Sequence, residues 1–396
     1  MNAIPASLCS DIDLFADGLI DNPYPAFKAL RDLGPAAYLS RHDSWFLGRH
    51  AQVRAALGDW ASFSSAQGIG LNAIINEAWK TALICLDPPE HTKAKVLLTE
   101  RLSPRALKPV EDVIDRMAAD MADRVVAAGH FDGITDVAHE LPLNLIMDLI
   151  GWPERVRATL RGMAEGAFEV CGPMDNSRMQ ASLPRLQSMM QLIAEVYDRN
   201  ELVPGGFGST IADSARRGEI AREDAIGLLA GYVVAAFDTT ISGIGSGLWL
   251  FATNPDQWDI VRRDPALIPR AFNEILRMET PIQYFGRVTT RDVDVGERVT
   301  IPAGSRVVVS YAAANRDERH FPDPDRFDIR RSPSDHLAFG HGNHSCAGQG
   351  LARMEAHAVF RALAAKASRL ALDGAPRLGR TAFTRGLEHL PLRASP

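Results

Sequence analysis

Cys346 lies in the segment Phe339-Gly340-His341-Gly342-Asn343-His344-Ser345-Cys346-Ala347-Gly348, where glycines crowd a single sulfur. A cysteine serves as a metal ligand only as thiolate, and backbone N–H groups pointing at the sulfur stabilise that charge. Gly340, Gly342 and Gly348 suit a loop that folds tightly round the sulfur and lets a flat macrocycle approach, and Phe339 could screen it from water. Without its neighbours such a residue is more often an inert buried thiol, so its meaning depends on the other reactive groups.

Three further groupings could carry chemistry. Asp238 and Thr239 stand in an apolar stretch, where an ionisable side chain is a candidate proton carrier; the plainer alternative is a threonine bonded to its own preceding turn. Ala235 and Ala236 before them leave room for something bulky. Glu274 and Arg277, three apart, share one helical face and can form a carboxylate–guanidinium pair. His91, Lys95, Arg287 and His344 are scattered donors that only a ligand bearing carboxylates would unite.

The elements that must position these residues read as mainly helical. Apolar positions recur at three and four between about 105 and 200 and again from 222 to 280, as in Val110-Glu111-Asp112-Val113-Ile114-Asp115-Arg116-Met117. Strand patterns are short and fall at 37–47 and 293–310, the latter broken by glycine-bearing turns. Residues 312–338 carry Asn, Asp and Pro so often that they predict an irregular run delivering the chain to Cys346. Residues 62–86 and 171–182 are further irregular stretches and candidate binding loops. No repeat or flexible linker divides the chain, so one domain over 1–396 is expected.

With 46% hydrophobic and 23% charged residues the composition is that of a globular protein, and a net charge of -6 provides no general field for nucleic acid. The four cysteines form no CxxC pair, and MNAIPASLCSDIDLF lacks the basic and apolar parts of a signal peptide. A reducing, cytoplasmic setting is expected. The apolar stretch 225–252 is interrupted by Asp238, Thr239, Thr240 and Ser242, so it reads as a buried helix and no membrane partner is expected.

Taken together these residues resemble the cytochrome P-450 family, soluble bacterial class, over almost the whole chain. The shared pieces run in family order: Asp21-Asn22-Pro23-Tyr24-Pro25, Asp87-Pro88-Pro89-Glu90-His91-Thr92, Ala235-Ala236-Phe237-Asp238-Thr239-Thr240, Glu274 with Arg277, Pro324-Asp325-Arg326-Phe327, and Phe339 to Gly348. The resemblance implies a helical body with small β-sheets enclosing haem b (iron protoporphyrin IX), with Cys346 as the iron ligand. It implies that His91, Lys95, Arg287 and His344 hold the haem propionates, Lys95 replacing an Arg of many relatives, and that Ala235, Phe339, Gly340 and Gly348 line the haem. Glu274 and Arg277 would join Arg326 in a buried structural triad. Asp238 and Thr239 would deliver protons during dioxygen activation, with Ala236 standing where the family usually has Gly.

The implied activity is that of a monooxygenase using O2 and electrons from a ferredoxin and its reductase. Lys93, Lys95, Arg101, Arg105 and Lys108 form the basic cluster on which an acidic ferredoxin would dock. Family likeness places Gln67, Ile69, Leu71, the loop near Cys171, Val234, Ala235, Ile282, Phe285 and Phe383 round the substrate. Residues 64–71 and 279–287 look like the branch that hydroxylates or demethylates para-substituted benzoates, with Gln67 where those relatives offer Arg. A neutral amide supplies hydrogen bonds but no charge for a carboxylate, so a small aromatic substrate is expected. The alternatives are a terpenoid or fatty-acid hydroxylase, a peroxide-driven hydroxylase, and a haem-binding electron carrier or gas sensor. Asp238-Thr239 argues against the last two, which have no use for this proton relay.

Overall fold

The apolar stretch 225–252 forms the interior of one helix, Arg222–Thr253, and 67% of its most apolar window is buried in the protein. In this computed structural model, residues 4–164 and 167–396 are described, without the side chains of 161 and 164; the first three residues of the N-terminal reading and positions 165 and 166 of the expected helical stretch lie outside them. One hydrophobic cluster runs from Leu8 to Ala394 around that core helix. Small residues let neighbours come close: a Cβ on Gly247 would stand 2.3 Å from the ring of Phe360 on the helix Gln349–Lys366. The helices Pro104–Ala128, Glu140–Ile150, Ser177–Asp198 and Ile268–Met278 complete the body around it.

The strands expected at 37–47 form a hairpin, Ala37–Leu39 with Ser44–Leu47. They belong to a six-stranded sheet in the order Cys9–Ser10, Ala37–Leu39, Ser44–Leu47, Arg306–Ser310, Tyr284–Thr289, Phe63–Ser64. Arg306–Ser310 runs parallel to one neighbour and antiparallel to the other, pairing Arg287 with Val307. The helical reading of 105–200 is interrupted at His130–Asp132, a strand that pairs with the C-terminal Pro391–Ser395, and then by a π-helical turn, Gly133–Ala138. That strand has only three residues, too few for a period-two signal to emerge among the helical patterns around it.

The irregular run expected at 312–338 begins with a short helix, Tyr311–Asn315, and is otherwise held by side chains. Glu274 and Arg277 are both fully buried and paired through two bonds of 2.7 and 2.9 Å. Arg277 also donates to the carbonyls of Asn315 and Pro324. The third member expected here was Arg326, and the structure corrects this: Arg326 is exposed and Arg331 reaches Glu274 at 3.2 Å. Phe327 and Ile329 turn into the core, which throws Arg326 outward, and the turn closed by Arg331 N to Asp328 O brings Arg331 back.

Removing one partner of a buried ion pair strands the other charge, at a cost of about 3–5 kcal/mol. Arg277→Ala is therefore expected to lower the unfolding free energy obtained from denaturant titration by that amount, whereas Arg326→Ala changes it by less than about 0.5 kcal/mol. Equal losses in the two variants would return Arg326 to the triad.

Candidate functional site

The segment from Phe339 to Gly348 closes on itself through the Cys346 amide, which donates to Phe339 O at 2.8 Å, and ends where the helix Gln349–Lys366 begins. Two residues permit this path. Gly340 has φ 68°, and Gly342 has φ 67° with the place of a Cβ only 2.5 Å from Leu57 O. The helix His50–Gly58 thus presses its C-terminal end against the loop. Lys95, on the helix Glu90–Arg101, crosses the loop from the other side and donates to the carbonyls of Asn343 and Ser345. Arg353 lies over the Phe339 ring at 4.8 Å.

The sulfur opens into a cavity of about 320 Å³, which leaves it accessible although protein surrounds it. Burial pushes the Cys346 thiol up; N–H groups of Gly348 and Gln349 at the helix N-terminus, with the charges of Lys95 and Arg353, pull the other way. Those same groups are the ones that would favour a bound thiolate.

Beside the loop stands a group of donors without a carboxylate. His91 and His344 face each other at 4.3 Å between ring centroids, and the Nε2 atoms of both are buried with no hydrogen-bond partner. Burial and then the charges of Arg287, His91 and Lys95 press His344 down to about 2; burial and Lys95 lower His91 as well. Arg287, buried, donates to Gly286 O at 2.7 Å and bonds Tyr311. Four donors held together against their own repulsion, two with orphaned nitrogens, are a set that carboxylates would satisfy. Sulfur, apolar walls and this anion receptor together fit a flat apolar group bearing carboxylates.

Across the cavity from the loop runs the core helix. Val234, Ala235, Ala236, Thr239 and Thr240 line the cavity. Thr239 Oγ1 donates back to Ala235 O at 2.8 Å, the local bond open to any helical threonine. Asp238 is half-buried beside it and is not part of the cavity wall. Of the expected substrate residues, Val234, Ala235, Ile282 and Phe285 line the cavity; Gln67, Ile69, Leu71 and Phe383 do not. The stretch 67–71 is consumed by backbone bonds, Gly286 N to Ile69 O and Leu71 N to Cys171 O, both 2.7 Å, which leaves Gln67 at the surface. Phe383 packs behind Phe285 and Tyr284, its amide bonded to the Glu169 carboxylate. Of the two candidate loops, 62–86 does reach the cavity, through Trp79 and Thr81 to Ile84, while 171–182 does not and Phe168 just before it does.

Sequence reasoning also missed Glu355. It lies one and two turns beyond Ala352 and Leu351 and Gly348 along the helix that follows Cys346, and all of them line the cavity. Glu355 is 2% exposed, its Oε1 has no partner, and burial pushes its carboxyl up to about 8.

Comparison with known proteins agrees with this geometry. The model of the family Cytochrome P450 matches residues 209–364, from before the core helix to within the helix after Cys346. The chain is 37% identical to Cytochrome p450 CYP199A2 of Rhodopseudomonas palustris over 97% of its length and 94% of that protein's. It is 32% identical to Cytochrome P450-terp of a Pseudomonas species, covering 93% of each chain. Among solved structures, P450BioI in complex with a fatty-acid-ligated acyl carrier protein superposes with TM-score 0.85 at 26% identity, over 96% of this chain and 100% of that one.

The position of Glu355 sets a pH dependence. Between its ordinary value of 4.5 and about 8, the unfolded chain releases this proton while the folded chain keeps it. Folding stability contributed by this site therefore falls as pH rises across that window, by up to about 1.4 kcal/mol per unit. Glu355→Gln is expected to raise the melting temperature more at pH 8 than at pH 5.5; an equal effect at both values would mean that the carboxyl is not held neutral.

Proposed function

The chain belongs to the cytochrome P450 family of haem b monooxygenases, and on that premise we propose that it hydroxylates or O-demethylates a small aromatic molecule with electrons from a ferredoxin. The observation that carries the assignment of the site is Cys346, whose sulfur meets the cavity at a helix N-terminus with two N–H groups turned toward it. Haem b, when bound, supplies the activation of dioxygen. Cys346 would hold the iron through its thiolate, while His91, Arg287 and His344 take the carboxylates. Lys95 serves both sides: it braces the loop carbonyls and adds a point charge at the rim.

Thr239 faces the cavity and Asp238 adjoins it outside, so the hydroxyl can pass a proton inward while the carboxyl recovers one from the far side. That arrangement favours oxygenation over electron carriage or gas sensing. Ala236 places its methyl on the same wall.

An aromatic substrate is supported by three rings that line the cavity in contact: Trp79 edge-on to Phe168 at 6.1 Å, and Phe168 tilted to Phe285 at 5.5 Å. Such rings favour flat partners through offset and edge contacts. Ile282, Val234, Met189 and Met190 complete apolar walls that a terpenoid would also fill, and this is the second reading. For the electron donor, Lys93, Arg105 and Arg54 are exposed on elements that touch the Cys346 loop or flank it. Arg101 is engaged with Thr210 at 2.9 Å and Lys95 with the loop, so these two act within the protein. The reaction is proposed to run in a single domain, in the cytoplasm.

The reduced, carbon monoxide-bound protein is expected to show the strongly red-shifted Soret band of thiolate ligation, and Cys346→Ser to lose it. On the same sample, spin-state titration should find substituted phenols, anisoles or benzoates binding at least about tenfold tighter than monoterpenes. A wild-type spectrum without the shift removes Cys346 as ligand; preference for terpenes removes the aromatic substrate.

Reconstitution with a ferredoxin and reductase separates the remaining roles. Asp238→Asn is expected to slow product formation about a hundredfold while leaving the substrate spectral shift in place. Lys93→Glu with Arg105→Glu should raise the KM for ferredoxin about tenfold and flatten its salt dependence. Unchanged kinetics in either case would remove the corresponding role.

A further inference from the structure

Away from the cavity, the start of the helix His50–Gly58 and the irregular run 312–338 bring His50, His320 and Asp335 together, with one donor atom from each lying within 4.8 Å of the others. The two imidazoles stand face to face, their centroids 3.6 Å apart and their planes 4° from parallel. His320 Nε2 contacts Asp335 Oδ2 at 2.6 Å, and His50 Nε2 contacts Asp335 O at 3.1 Å. Both ring edges therefore turn toward one residue, which offers a carboxylate and a carbonyl.

The surroundings hold this arrangement in place. His50 begins the helix His50–Gly58, with its backbone amide donating to Asp317 Oδ2 at 2.9 Å, and its ring is buried. Phe321 stands edge-on to both imidazoles, at 5.5 and 4.6 Å. Asp317 O accepts from His320 N at 3.0 Å, so one buried aspartate anchors both histidines. Burial lowers His50, which leaves its ring neutral near pH 7 with a lone pair to give. Burial would raise the Asp335 carboxyl, but the His320 bond and the adjoining imidazoles hold it below its ordinary value and charged.

We propose that His50, His320 and Asp335 form a binding site for a borderline divalent cation of the zinc class, with water filling the remaining position. Two imidazoles and one carboxylate are the ligand set that such ions prefer over calcium or magnesium. Binding forms two metal–nitrogen bonds and one metal–oxygen bond, and a ring proton now directed at Asp335 moves to the other nitrogen of the same imidazole. Ligands about 2.1 Å from a tetrahedral ion lie about 3.4 Å from one another, so His320 Nε2 and Asp335 Oδ2, now 2.6 Å apart, must separate and the stacked rings must tilt for their lone pairs to converge. His320 and Asp335, with side chains 36% and 43% exposed, have the freedom to do it.

The location gives the site a purpose. Asp335 precedes Leu337, whose amide donates to Asn315 Oδ1 at 2.7 Å, on the final approach to the Cys346 loop. The helix that starts at His50 ends against Gly342 in that same loop. A cation at the cluster would tie the N-terminal end of this helix to the approach segment while its C-terminal end already supports the loop. Occupancy would stiffen the floor of the cavity from outside.

The test uses the haem-loaded protein, freed of metal with a chelator and titrated with zinc chloride at pH 7.5 by calorimetry. The expected result is one zinc per chain at low-micromolar Kd, a melting temperature raised by several degrees at saturation, and at least about tenfold weaker uptake in both His320→Ala and Asp335→Asn. Both positions are exposed, so the variants keep the fold, as their haem spectra will report. Absence of uptake below about 1 mM zinc in the wild type overturns the site, and so does uptake of equal affinity in His320→Ala.

Discussion

A sulfur at the floor of an apolar cavity can carry charge only if its loop cannot relax away from the groups that compensate it. Cys346 meets this requirement through backbone amides together with the charges of Lys95 and Arg353. Its own amide closes the loop on Phe339, and the first amides of the following helix turn to the sulfur. Lys95 clasps two loop carbonyls and contributes its field at the same time, though burial lowers its own proton affinity. A single methyl at Gly342 would collide with Leu57 O, so the helix behind the loop is as much a part of the site as the loop itself.

The chain that leads to this loop has few ladder bonds of its own, and its backbone is held by buried charged side chains. Arg316 donates to Met278 O and Glu279, lies 3.8 Å over the Tyr24 ring, and shares Glu279 with Arg385. Arg31 reaches Ala313 O and pairs with Glu318. Arg31 satisfies a carbonyl of this run, and Arg316 satisfies the last carbonyl of the helix Ile268–Met278. Tyr24 in the N-terminal motif thereby acquires a structural meaning: its hydroxyl donates to the Met278 carbonyl, and burial together with Glu279 pushes it up to about 12.

Within the cavity, polar and apolar duties are divided by position. Cations and the sulfur gather at the loop, where charge has partners, and the rings of Trp79, Phe168 and Phe285 gather in a contact cluster of their own. Glu355 departs from the pattern, since it is an unpaired carboxyl under the floor and persists there because burial keeps it neutral.

Several features were legible in the order of residues alone. The glycine-rich turn around Cys346, the interrupted apolar helix with Asp238-Thr239 and the paired Glu274 and Arg277 each depend on local spacing, and the fold and the reaction class followed from their succession. What tertiary structure decided was every relation set by a turn or a long-range contact. Arg331, not Arg326, completes the triad because Phe327 is drawn into the core and the chain bends back. Gln67 never reaches the cavity because its loop spends its hydrogen bonds on Gly286 and Cys171, and Trp79, twelve residues further on, arrives instead. Phe168, Glu355 and the meeting of His50 with His320 and Asp335 were likewise beyond local reading. Spacing determines which side chains share a face; which faces meet is settled only when the whole core packs.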